Sequence, residues 1–134
     1  MNILFLHQNF PGQFKHLAGQ LAANPANRIV ALCQEQAPRH PRIATHIVYQ
    51  PARKAHGHRY LRTLEEGVLN GQAVVRMLQK LKQDGFTPDI VIAHPGWGEA
   101  LYVKDVFPMR RYWDILNFSI MPTAPTRTST RSFP

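Results

Sequence analysis

The 134 residues include a single cysteine, Cys33, which excludes a disulfide framework within the chain and a zinc site built on several thiolates. No apolar run approaches the roughly 18 residues that a membrane span needs. The run Ile3-Leu4-Phe5-Leu6 has no basic flank before it, as a secretory leader would. There is therefore no expected transmembrane segment, and the expected location is cytoplasmic. Acidic side chains are also scarce, 8 against 16 Lys and Arg, for a net charge of +8. That imbalance admits nucleic acid or another polyanion as a partner. What the chain does have is a hydrophobic share of 44%, enough to build one buried core, in a length that suits one domain and not an intact two-domain enzyme.

The charge is unevenly spread. Residues 1–108 hold 12 basic and 7 acidic side chains, whereas the last 26 residues hold 4 and 1. All eight glycines and all seven histidines lie before residue 99, while 109–134 contains seven Ser/Thr and three Pro. The two stretches read as different kinds of sequence, a domain over 1–108 and a compositionally foreign tail over 109–134.

Within the domain, Asn2 to His7 is a continuous apolar run without alternation, the pattern of a parallel strand covered on both faces. Arg28 to Cys33 is a second buried strand, Thr45 to Tyr49 a short third one stopped by Pro51, and Ile90 to Ala93 a fourth. Phe14, Leu17 and Leu21 at helical spacing predict an amphipathic helix that ends near Asn24-Pro25. Between Tyr60 and Gln83 the positions Leu61, Leu64, Val68, Gly71, Val75 and Leu78 form one apolar stripe on a long helix. Glu99 to Phe107 suits a further short helix. Strands alternating with helices predict an α/β fold, a doubly wound parallel sheet of Rossmann-like order.

Two loops carry candidate chemistry. Asn9-Phe10-Pro11-Gly12-Gln13 joins the first strand to the first helix, and Gly12 there either satisfies a tight turn or lets backbone N–H groups approach an anion or sugar phosphate. The dinucleotide pattern G-x-G-x-x-G is absent, which disfavours a nicotinamide cofactor. His94-Pro95-Gly96-Trp97-Gly98-Glu99 follows the fourth strand, at the edge where open α/β sheets collect ligands. His94 can donate or accept a hydrogen bond, Gly96 and Gly98 let backbone pass close to a ligand, and Glu99 falls in the first turn of the next helix. The alternative is a glycine-rich connector with a capping Glu and a Trp that only packs.

Other features are weaker. His56-Gly57-His58, without a nearby carboxylate or cysteine, makes a poor metal site, so no metal is expected. The basic cluster Arg53 to Arg62 reads as a solvated face. Cys33 reads as a buried strand residue with an inert thiol. No catalytic Ser-His-Asp set or carboxylate pair can be assigned.

The segments Met1 to Phe14, Pro88 to Glu99 and Lys104 to Pro108, in that order, resemble the amino-terminal domain of family four glycosyltransferases. The resemblance implies one Rossmann-like half of a GT-B enzyme, which transfers a sugar with retained configuration from a nucleotide-sugar donor, without an essential metal. It implies that this half holds the sugar or glycan acceptor, that Gly12, His94, Gly96, Gly98 and Glu99 border the substrate cleft, and that His94 contacts the transferred sugar or the acceptor. The nucleotide-sugar belongs to the other domain, so no cofactor is expected in this chain and the fragment alone should be inactive.

The tail departs from that family, which continues with a strand and an aromatic, acidic segment. Codons allowed for Met109 to Met121, read one base earlier, spell Asp-Ala-Ala-Val-Leu-Gly-Tyr-Phe-Glu-Phe-Phe-Tyr-His. Those allowed for Pro122 to Pro134 reread as Asp-Gly-Ala-Asp-x-Asp-Phe-Asp-Pro-Glu-Phe-Pro. The expectation is a one-base loss near the codons of Pro108 and Met109, leaving 109–134 out of frame, irregular and unable to supply a fifth strand. Part of the basic charge is then a product of reading frame, and a small basic module for nucleic acid or another polyanion becomes the alternative reading.

Overall fold

The computed structural model describes residues 1–34, 39–43 and 45–108, together with the backbone of 112–114. Five strands form one sheet: β1 (Asn2–Leu6), β2 (Arg28–Cys33), β3 (Thr45–Val48), β4 (Ile90–Ala93) and β5 (Tyr112–Asp114). Their spatial order is β3-β2-β1-β4-β5, and every neighbouring pair is parallel. Ile3 stands beside Ile29 on one flank and Ile90 on the other, which puts the first strand of the sequence in the middle of the sheet.

The absence of alternation in the strands has its explanation in two cores. Leu4, Leu6, Val30, Leu32, Val91 and Ala93 pack on one face with Ala73, Val74, Leu78 and Phe86. Their neighbours Ile3, Phe5, Ile29, Ala31, Cys33 and Ile92 pack on the other with Phe10, Phe14 and Ala18. Successive side chains leave opposite faces of a strand, so a sheet with helices on both faces needs apolar residues at every position. Cys33 is free and buried, and burial pushes its thiol up despite Arg39.

Among the described residues three α-helices lie between strands: α1 (Lys15–Ala22) between β1 and β2, α2 (Arg62–Gln83) between β3 and β4, and α3 (Val103–Val106) between β4 and β5. The end of α2 is marked by Gly85 at φ 83°, the left-handed residue that commonly closes a helix, and Lys82 Nζ reaches the Val106 carbonyl at 3.0 Å. The apolar stripe of α2 differs from its sequence reading in the first turns. Leu61 and Leu64 are exposed, and burial begins at Leu69 and runs through Ala73, Val74, Leu78 and Leu81. The first turn is held by the connector through Glu65 and leaves Leu61 and Leu64 in the open, whereas the last four turns meet the sheet. Among the described residues no helix is long and apolar enough to cross a membrane.

The tail requires a correction. Tyr112, Trp113 and Asp114 pair in parallel with Val91, Ile92 and Ala93, so the segment does supply a fifth strand. The pairing uses backbone groups alone, the open edge of β4 offers them, and Tyr and Trp are strong strand formers. The expected irregularity of the rest of 109–134 concerns residues outside those described.

Candidate functional site

All five strands run one way, so their carboxyl ends share one edge. The order reverses direction between β1 and β4, and in open α/β sheets ligands enter at that switch point. His7 follows β1 and His94 follows β4, each extending the ladder by one hydrogen bond, His7 N–H to Leu32 O at 3.2 Å and His94 N–H to Leu6 O at 3.1 Å. Their rings lie edge to face, 5.4 Å apart. In both, Nδ1 accepts a backbone N–H two residues on, from Asn9 at 3.0 Å and Gly96 at 3.1 Å. The proton of each neutral imidazole therefore sits on Nε2.

Gly12 belongs to this pair. Its φ is 45°, and a Cβ there would come within 2.7 Å of His7 Cε1, so the glycine serves both the turn and the close approach of the ring. His7 is buried; burial first, and the neighbouring His94 second, hold its imidazole below the ordinary value of 6.5. The unfolded chain then binds more protons than the folded one just below pH 6.5, and stability falls as pH falls through that window. His7→Asn, whose Oδ1 can take the place of Nδ1 as acceptor, should flatten this acid limb in urea melts between about pH 7.5 and 5.

The loop after β4 is seated on α2. Gly98 adopts φ 92°, and a Cβ on it would lie 2.0 Å from Gly67 O; one on Gly71 would meet Gly98 O at 2.8 Å. Two glycines in the middle of a helix thus form a groove for a third, and Asn70 Nδ2 donates to Trp97 O at 2.9 Å to fix the register. Glu99 is not in the first turn of a helix, since α3 starts at Val103. The left-handed Gly98 turns the chain inward, and Glu99 is fully buried. Tyr49 Oη donates to Glu99 Oε1, and among the described residues Oε2 has no partner. Burial raises the Glu99 carboxyl; burial first, and the carboxyl second, push the Tyr49 phenol far up.

Above this edge lies a cleft of about 530 Å³, between the strand ends and the beginning of α2. Gln8, Gln34, Arg53, Lys54, Arg62, Glu66, Asn70, Gly96 and Trp97 are among its walls. Of the residues selected from sequence, Gly96 lines the cleft directly. His94 backs it, with Trp97 stacked on its ring at 6.1 Å and 22°. Gly12 supports His7, while Gly98 and Glu99 anchor the loop from below. The basic connector is exposed, as expected of a solvated face, and in addition its residues Arg53, Lys54 and Arg62 line the cleft. It is tied down by Glu65, which accepts from His56 and Gly57 N–H at 3.0 and 2.7 Å and pairs with Arg53 at 2.6 Å. The Gly57 N–H first, and Arg53 next, hold the Glu65 carboxyl low. No group of three metal-ligating side chains occurs among the described residues.

Sequence reasoning passed over His7 and Tyr49. The signal for His7 was a polar residue closing an apolar strand; Tyr49 gave none, because its partner is 50 residues away. The family model of the glycosyl transferase family 4 group matches residues 25–121. No curated protein and no solved structure matches the chain.

Proposed function

Because the chain belongs to the glycosyl transferase family 4 group, we propose that it is the acceptor-side half of a retaining, metal-independent glycosyltransferase of the GT-B kind. The nucleotide-sugar is held by a second domain outside these 134 residues, and this half alone is inactive. The observation that carries the reading is the cleft at the switch point, bordered by Gly67, Gly96 and a tryptophan that stacks on the fixed His94 behind it. With Nδ1 engaged by Gly96 N–H, His94 has its Nε2–H left to offer to a sugar hydroxyl, while Trp97 offers an apolar face to a pyranose ring. No residue of the chain is assigned a bond-breaking role.

A one-base loss near codon 108 remains part of this proposal, against which stand the family match that continues to residue 121 and the pairing of Tyr112–Asp114 with β4. Sequencing the coding DNA through codon 108 checks it, and codons that cannot reread as the acidic, aromatic pattern would discard it. For the activity, the frame-restored protein with its donor domain should transfer a radiolabelled sugar, and the 134-residue chain should not. His94→Ala in the full enzyme should lower kcat/KM by roughly 10- to 100-fold, the loss of one or two hydrogen bonds to substrate. Undiminished transfer by that variant, or transfer by the chain alone, would refute the assignment.

A further inference from the structure

The cleft wall carries more positive charge than it uses. Arg53 is engaged by Glu65 at 2.6 Å. Among the described residues Lys54 and Arg62 pair with no carboxylate, and Glu66 is the single acidic side chain lining the same space. Around a neutral glycan these cations would gain only solvent-like hydrogen bonds, whereas a phosphate or carboxylate would receive charge-assisted ones. Trp97 lines the same cleft, 44% exposed, yet held by its stack on His94 and by Asn70 on its carbonyl. A large ring kept rigid and wet at a cleft wall is a platform for the C–H face of a sugar. A space of about 530 Å³ accommodates a ring and one charged substituent.

We propose that the acceptor is an anionic sugar, its ring on Trp97 and its phosphate or carboxylate between Arg62 and Lys54. The inference rests on the glycosyltransferase reading above and adds the chemical class of the acceptor. It is tested by titrating the isotope-labelled 134-residue chain at low salt with glucose 6-phosphate, glucuronate, glucose and inorganic phosphate, following the Trp97 indole and Gly96 amide resonances. At least one anionic sugar should bind about tenfold more tightly than glucose, the worth of one charge-assisted hydrogen bond. The K54Q/R62Q double variant should erase that margin, and the better of the two anionic sugars identifies the group. Equal affinity for glucose and both anionic sugars would overturn the proposal and leave the sugar reading intact. Inorganic phosphate matching glucose 6-phosphate would reduce the cleft to a bare anion site and likewise overturn it. If a short RNA moves these resonances and no sugar does, both readings fail together.

Discussion

Gly98→Ala is expected to cost on the order of 3 kcal/mol of stability, from a left-handed backbone that alanine resists and from overpacking against a helix. The added methyl would lie 2.0, 2.4 and 2.5 Å from the Gly67 carbonyl oxygen, carbonyl carbon and Cα. These are backbone atoms of a 22-residue helix, so no side chain can swing aside, and the loop bearing Gly96 and Trp97 must lift. In a domain of this size the loss corresponds to a fall in Tm of roughly 10–15 °C. Gly67→Ala enters the same interface from the other side and meets Gly98 Cα at 3.8 Å, an ordinary contact. Removing a helical glycine should then stabilise by up to about 1 kcal/mol. Thermal melts of the two variants should move in opposite directions, and a Gly98→Ala protein that melts with its parent would mean that the loop is not seated on α2.

The second large effect concerns Glu99 and Tyr49. Because burial raises the folded-state pKa of Glu99 above 4.5, the folded chain holds a proton that the unfolded chain releases. Stability from the neutral carboxyl is complete below that pH and is lost as pH rises through the folded value. Glu99→Gln keeps an acceptor for the Tyr49 hydroxyl and removes the titration, so near pH 7 it should match or exceed its parent. Tyr49→Phe does the reverse: both carboxyl oxygens then lack a partner among the described residues, at a cost of roughly 2–3 kcal/mol near neutrality. Urea melts between about pH 4 and 8 read both variants. A Glu99→Gln protein that loses stability at neutral pH, and keeps its parent's slope, would contradict the upward shift of the buried carboxyl. His7 tilts the same curve the other way, so the Glu99 slope is best read in the His7→Asn background.

The sheet was legible because its inner strands β1, β2 and β4 are buried on both faces. The runs Ile29 to Cys33 and Ile90 to Ala93 have no polar position to mislead, and the expected strands Arg28 to Cys33 and Ile90 to Ala93 match the observed bounds. Helix ends were harder. The third helix was expected from Glu99 and begins at Val103, since hydrophobic spacing does not reveal that a left-handed glycine has turned the intervening residues toward the core. The fifth strand was missed because the tail was weighed by its composition, whereas three residues at an open sheet edge need only backbone groups. At the site, His94 and Gly12 were readable from their positions after apolar runs, which parallel strands carry to one edge. The function of Gly67 and Gly71 was not, because a glycine in a helix looks like a local weakness until the loop it accommodates is in place. Nor was the basic connector's part in the cleft, which depends on Glu65 folding it back.

On the ribosome, the strand order makes the earliest residues wait. β1 finds β2 soon after emerging, since Asn2 pairs with Arg28. Its other flank stays empty until β4 arrives, and the link that fastens this flank, Asn2 N–H to Asp89 Oδ2 at 2.6 Å, spans 87 residues. At about 5–20 residues per second, the middle of the sheet spends several seconds as an edge, with apolar side chains on both faces and unpaired backbone along one side. During that interval the nascent β3-β2-β1 unit is the species most exposed to chaperones and to mispairing. Stalled chains ending before Ile90 should therefore be protease-sensitive at Asn2–Leu6, and chains extended past Ala93 should become resistant there.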